Sequence, residues 1–230
     1  SYYWSEIMKI LVLNGSPKKK SDTMVLTNAF LRGIKKNGSH EISVMNISEM
    51  KISPCRGCFG CWQVKNKHCV IDDDQNRILD LYPEVDLIIW SFPLYCFGMP
   101  SHIKAVLDRT IPLNQMKMEI VDGRTRHLPM VDFSKIHTVV ISGCGFPNYE
   151  HNFEGLSRQC DLCFGNLTKI FVPETPLLNI PEAKPVTEPK VLAFENAGEE
   201  YAKNFSLSPE TIENLQSLMI SKEDYIKNIE

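Results

Sequence analysis

Four cysteines stand as Cys55-x2-Cys58-x2-Cys61-x7-Cys69, a spacing found nowhere else in the chain. Thiolates this close together bind soft metals or exchange a reversible disulfide, and four of them can complete a tetrahedral zinc site. A second chemistry is written in Asn14-Gly15-Ser16-Pro17-Lys18-Lys19-Lys20-Ser21-Asp22-Thr23, between an apolar run and a helical one. There an open α/β sheet offers an anion its backbone N–H groups and the positive end of a helix. Ser16, Ser21 and Thr23 add hydroxyls and Lys18 adds charge. A polar turn ending in a helix cap would use the same residues. The segment is not a Walker A loop, because no glycine precedes Lys20-Ser21, and not GxGxxG, because Gly15 is its only glycine.

Two further breaks follow apolar runs, at Ser91-Phe92-Pro93-Leu94-Tyr95-Cys96-Phe97-Gly98-Met99-Pro100 and at Ser142-Gly143-Cys144-Gly145-Phe146-Pro147. Tyr95 and Phe97 offer ring faces on which a planar ligand could stack, although rings at a strand end also fill core. His102, His127 and His151 lie near these segments in sequence, and none has a neighbour that marks it as an acid–base catalyst.

The elements that must position these loops are legible as an alternation. Short apolar runs at Met8 to Leu13, Glu41 to Met45, Asp86 to Phe92, Ile136 to Ser142 and Lys169 to Val172 read as five strands. Between them, Thr23 to Lys36, Gln75 to Tyr82, Pro100 to Arg109 and Phe153 to Cys163 have helical period. Such alternation gives parallel strands with right-handed crossovers. The continuously apolar Ile10 to Leu13 and Leu87 to Trp90 imply a sheet covered on both faces. Two inserts interrupt the pattern: a cysteine-rich loop at 55–74, and 111–134, where Asp122-Gly123 could turn a hairpin. Cys160-x2-Cys163 falls on a helical stretch and reads as part of a buried face. The tail, 174–230, is proline-rich to Pro189 and then shows two or three short helical stretches. Ser208-Pro209-Glu210 is a good helix start. Residues 1–7 carry three aromatics without the pattern of a secretory signal, and read as an extension before a start at Met8. The main domain is expected over 8–173.

The three loops together resemble those of the flavodoxin-like NAD(P)H-dependent FMN reductases. The Gly15-Ser16-Pro17 turn leading to Thr23, and the Pro-x-Tyr-aromatic-Gly stretch ahead of a helix ending in Asp108-Arg109, carry the likeness. It implies an α/β, flavodoxin-like, doubly wound five-stranded parallel sheet of order 2-1-3-4-5, with helices on both faces and a helical C-terminal extension. It also implies FMN phosphate contacts from Ser16, Lys18, Ser21, Asp22, Thr23 and Met24. Asp22 would serve through its backbone, since its carboxylate repels a phosphate. Pro93, Leu94, Tyr95, Cys96, Phe97 and Gly98 would border the flavin ring, and Ser142, Gly143, Cys144 and Gly145 its pyrimidine edge. The cysteine motif resembles that of the iron–sulfur flavoproteins, where four thiolates hold a [4Fe–4S] cluster beside FMN. This implies Cys55, Cys58, Cys61 and Cys69 as ligands. Cluster-free flavin reductases of the same superfamily carry a similar stretch, in which Gly57 and Gly60 shape a tight loop and Trp62 shields the flavin. Cluster, zinc and free thiols therefore stand as three readings.

The 230 residues are 43% hydrophobic and 23% charged, ordinary for one globular domain with additions. A net charge of −3 without a basic run gives no attraction to nucleic acid, and no apolar run approaches a membrane span. Eight cysteines in a chain with a normal core need no disulfide framework, which fits a cytoplasmic setting. The function expected from the resemblance is FMN-dependent oxidation of NAD(P)H with a small-molecule electron acceptor, in a homodimer or homotetramer. An electron carrier working through a cluster is the alternative, and a thiol redox sensor the third reading.

Overall fold

The computed structural model describes residues 7–228, so the extension read at 1–7 lies almost wholly outside the described residues. In chain order, β1 (Lys9–Asn14), α1 (Asp22–Lys35) and β2 (Glu41–Asn46) lead into the cysteine loop. Beyond it come α2 (Gln75–Leu81), β3 (Leu87–Pro93) and α3 (Ser101–Asp108). A hairpin of β4 (Asn114–Val121) and β5 (Arg124–Pro129) precedes β6 (His137–Gly143), α4 (Glu154–Cys163) and β7 (Leu167–Val172). The tail forms α5 (Lys184–Asn204), α6 (Pro209–Gln216) and α7 (Lys222–Asn228).

Five strands pair in parallel in the order β2-β1-β3-β6-β7, the expected 2-1-3-4-5 once the hairpin strands are set aside. Alternation along the strands divides the core in two. Ile10, Val12, Ile89 and Ile141 face α1 and α5, through Phe30, Phe194 and Tyr201. Leu11, Leu13, Trp90 and Val140 face α2, α3 and α4, through Ile78, Ile103 and Leu156. Both faces are covered, as the continuous apolar runs require.

The β4–β5 hairpin is antiparallel and stands apart from the sheet. Asp122 and Gly123 turn it with φ of 49° and 76°, the left-handed pair that a two-residue hairpin turn demands. Met116, Met118 and Ile120 alternate along β4 and are all exposed. On α4, Cys160 is buried and Cys163 exposed.

The tail departs from the short helices read in the sequence. A 21-residue helix, α5, begins at Lys184 and carries Pro189 inside it. Pro185 lies in the first turn, where its missing N–H has no intrahelical partner to lose, and Pro189 forgoes one bond that burial of Phe194 and Tyr201 offsets. The helix packs so closely on α1 that the backbones touch. A Cβ on Gly33 would stand 1.8 Å from the Glu195 carbonyl oxygen, and one on Gly198 1.9 Å from that of Phe30. Arg32 and Lys36 flank the crossing with ion pairs to Glu195 at 3.1 and 2.7 Å.

Gly33→Ala should therefore destabilise the fold, although alanine is the better helix former by about 1 kcal/mol. Separating two backbones costs about 2–3 kcal/mol, leaving a net loss of about 1–2 kcal/mol. Urea denaturation checks this through a lowered midpoint at unchanged slope. An unchanged or raised midpoint would mean that the helices part without loss.

Candidate functional site

The first loop is held in place before it offers anything to a ligand. Asn14 Oδ1 accepts the Ser16 N–H at 3.0 Å, while Asn14 Nδ2 donates to Asn46 Oδ1 at 3.0 Å. Gly15 donates its N–H to Ser91 O at 2.8 Å and accepts from His102 Nε2 at 2.5 Å. A Cβ there would lie 2.7 Å from Ile103 Cδ1, so the strand end must pass α3 as glycine. At the start of α1, Ser21 Oγ accepts the Met24 N–H at 3.1 Å and shares a 3.0 Å hydrogen bond with Thr23 Oγ1. The helix-cap reading thus holds for Ser21, while Ser16, Lys18, Asp22 and Thr23 line a cleft. The Asp22 carboxylate is engaged by Asn179 Nδ2 and, at 3.8 Å, by Lys18.

The second loop contributes Pro93, Leu94 and Tyr95 to the same cleft. Tyr95 and Gly98 exchange both backbone hydrogen bonds, at 3.0 and 2.9 Å, across a two-residue turn of Cys96 and Phe97. Those residues have φ of 47° and 63°. Two successive side-chain-bearing residues in the left-handed region are strained, and such strain concentrates at ligand sites. Tyr95, Cys96 and Phe97 are all exposed. Cys96, Phe97 and Gly98 form the tip of this turn beyond the cleft wall.

The third loop lends Gly143, Cys144 and Gly145. Burial pushes the Cys144 thiol up, which keeps it protonated. Ser142 lies buried just before it, its Oγ without a hydrogen-bond partner, and Met24 is half-buried on α1 outside the wall. The cleft has a volume of about 160 Å³ and gains Thr175 and Pro176 from beyond β7, which the sequence reading missed. A Cβ on Gly143 would meet Thr175 Cγ2 at 2.4 Å. Because β7 pairs with β6, its carboxyl end had to reach the same edge, and that was the signal available.

The C-terminal tail clamps these last two loops. Tyr225, from α7, donates its hydroxyl to Gly145 O at 2.8 Å, and burial with nearby negative charge pushes its phenol up to about 12. Glu174, fully buried at φ 60°, accepts the N–H groups of Met219 and Ile220 at 2.6 and 3.3 Å. Burial raises its carboxyl despite those two donors. Lys190 Nζ is buried too and donates to the carbonyls of Asn214, Leu215 and Ser217, tying the end of α6 to α5.

All four motif cysteines line a second, smaller pocket of about 20 Å³, together with Arg109. Cys55 and Cys58 are exposed, Cys61 and Cys69 half-buried, and all eight cysteines of the chain are free. Burial raises the Cys61 thiol, and negative charge on Cys69, Cys58 and Cys55 would raise it further. Among the described residues, no three His, Cys, Asp or Glu side chains converge closely enough to hold one metal ion. Tetrahedral zinc needs every sulfur about 2.3 Å from a single ion. A four-iron cube takes one thiolate per iron and so a wider ring of sulfurs. The donor set, four thiols lining one pocket, is chemically suited to either soft-metal group.

The two sites lie toward opposite ends of α3. His102 at its start holds the phosphate-loop glycine, and Arg109 at its end faces the cysteines, roughly 10 Å along the helix by its rise per residue. Trp62, read in one alternative as a flavin shield, donates Nε1–H to Asn114 O at 3.0 Å and stacks on Phe59 at 4.9 Å. His127 packs on Trp62, and His151 is exposed on a left-handed turn.

A model of the flavodoxin-like fold matches residues 8–149, and the chain belongs to that family. Over 165 residues it is 26% identical to an iron–sulfur flavoprotein of Methanocaldococcus jannaschii, covering 66% of this chain and 84% of that one. An iron–sulfur flavoprotein of Methanosarcina thermophila is 33% identical over 47% of this chain, and the match spans only 55% of the relative. Among solved structures, the NAD(P)H:quinone oxidoreductase from Methanothermobacter marburgensis superposes with a TM-score of 0.60 at 15% identity, over 85% of this chain and 97% of that one. The FMN-dependent NADH-azoreductase of Bacillus anthracis, solved in complex with FMN, gives 0.57 at 14% identity, over 87% and 100%. At such identities the likeness is one of fold. Among the described residues, no helix is long and apolar enough to cross a membrane.

Removing the Tyr225 hydroxyl tests the clamp. Tyr225→Phe should lower stability by about 1 kcal/mol, the net worth of one hydrogen bond, and speed hydrogen exchange at the Cys144 and Thr175 amides. Unchanged exchange at those amides would show that the tail covers the loops without holding them.

Proposed function

We propose that the chain is an FMN-dependent oxidoreductase that oxidises NAD(P)H and reduces a small acceptor such as a quinone, an azo or nitro compound, a flavin or iron. The observation that carries this reading is the cleft itself, in which loops after β1, β3 and β6 meet where the strand order reverses. That is where open α/β sheets bind nucleotides. Support also comes from family membership and from the cofactors named for the structural neighbours. Bound there, FMN would supply the redox chemistry, accepting hydride at N5 and releasing electrons.

The chain's own part is to bind, orient and exclude water. Ser16 and Thr23 hydroxyls and the first-turn N–H groups of α1 take the phosphate, whose charge the helix end and Lys18 favour. Because Asn179 and Lys18 engage the Asp22 carboxylate, its repulsion of a phosphate is softened. Tyr95 presents a ring face, and Gly143 and Gly145 let backbone approach the ring edge closely. Cys144, protonated and buried, packs rather than attacks. No side chain is assigned to proton transfer.

The cysteine pocket supports a second function on the same chain. Four thiols around one pocket, in a relative of iron–sulfur flavoproteins, suit a [4Fe–4S] cluster held by Cys55, Cys58, Cys61 and Cys69. Its exposed side, Cys55 and Cys58, would then pass single electrons to a protein partner, which is the electron-carrier reading. Eight free cysteines suit the reducing cytoplasm in which we place the protein.

Combining Ser16→Ala with Thr23→Ala tests the phosphate site. Each change removes a donor to a charged acceptor, so titration of apoprotein with FMN should show affinity lowered by about 1–3 kcal/mol, with the fold intact by circular dichroism. Unchanged affinity would reduce the loop to a helix cap.

A further inference from the structure

We propose that Arg109 acts on the four-cysteine site, donating a hydrogen bond and positive charge to the sulfur side of a cluster held there and so raising its reduction potential. The inference rests on the cluster reading above.

Arg109 lines the same pocket as Cys55, Cys58, Cys61 and Cys69, and its side chain is wholly buried. The guanidinium is fixed on one side. Nη1 donates to Asp73 Oδ2 at 2.6 Å and to Ser53 O at 3.0 Å, and Nη2 donates to Ile71 O at 3.2 Å. Ser53 stands two residues before the first motif cysteine, and Ile71 and Asp73 stand two and four residues after the last. Of the donors left over, Nε–H is buried with no hydrogen-bond partner. Buried donors are nearly always satisfied, so an orphan beside a pocket of thiols points to an acceptor that belongs there. Cys69 is the candidate, since its side chain already hydrogen-bonds the guanidinium.

The consequence follows from charge. One-electron reduction, with the electron drawn from reduced flavin, adds one negative charge to the pocket and makes or breaks no bond. A buried cation and an N–H donor at the ligating sulfur favour the more negative state, and hydrogen bonds and net charge are what set cluster potentials. Asp73 opposes this, because its carboxylate lies beside the same guanidinium. Two substitutions should therefore move the potential in opposite directions. Asp73→Asn leaves the Arg109 charge less balanced and raises it. Arg109→Gln combined with Asp73→Asn removes the cation without stranding a carboxylate and lowers it.

The test reconstitutes wild type and both variants with iron and sulfide without oxygen, counts iron, and measures the cluster midpoint by dye-mediated titration. We expect about four irons per chain in all three. Relative to wild type, the midpoint should be more positive in Asp73→Asn and more negative in the double variant. A merely structural Arg109 would change iron retention but not the midpoint of the clusters retained. Loaded variants with wild-type midpoints would overturn the inference and leave the cluster reading standing. Wild type that takes up no iron would overturn both. If either variant does not fold, the other decides alone: an unshifted midpoint there also overturns the inference.

Discussion

A guanidinium shut away from water must be answered by charge and by carbonyls, and Arg109 is answered by the chain that carries the cysteines. Its ion pair with Asp73 is 2.6 Å long, with side chains 0% and 2% exposed. Removing one member of such a pair typically costs about 3–5 kcal/mol, because the other is left charged and buried. Burial alone would raise the Asp73 carboxyl. The Arg109 bond and the N–H groups of Ser53 and Gln75 outweigh it and hold the group below the ordinary carboxylate range. Gln75 closes the arrangement by donating to the carbonyls of Val106 and Arg109 at the end of α3. Both ends of the cysteine loop are thereby seated on one helix terminus.

The same helix organises the cleft from its other end. His102 and Ile103 fix the backbone at Gly15, and Gly15 fixes where the phosphate loop begins. One short helix thus sets the relation between the strand-end cleft and the thiol pocket, which would account for their occurring together on one domain. The rest of the cleft is stabilised from elsewhere: strain at Cys96 and Phe97 is local to an exposed turn, and the third loop is held by a tail eighty residues away in sequence.

What was legible in the sequence was what local physics decides. Ile10 to Leu13 and Leu87 to Trp90 are apolar on both faces because the sheet is covered on both. Asp122-Gly123 announces its turn because few other pairs tolerate two positive φ angles. Ser16, Thr23, Tyr95 and Gly143 are legible because they sit at strand ends or in the segment that leads from a strand to the next helix. Partners chosen by tertiary structure were not legible. Thr175 reaches the cleft because β7 ends beside it, and Tyr225 reaches Gly145 from α7, far along the chain. The prolines at 185 and 189 read as breakers, yet α5 runs through them because its apolar side is buried on α1. Asp108-Arg109 was visible as a helix ending, but its purpose, sealing the cysteine loop, depends on Asp73 being folded beneath it.

The central claim is that one chain holds a flavin at the strand ends and a cluster at the cysteines. The absorption spectrum of protein purified without oxygen and then loaded with FMN, iron and sulfide tests it most directly. The account predicts the two visible bands of oxidised flavin on top of a broad cluster shoulder that bleaches on reduction. A spectrum without flavin bands after loading with excess FMN would contradict it at the cleft, and flavin bands without the shoulder would contradict it at the cysteines.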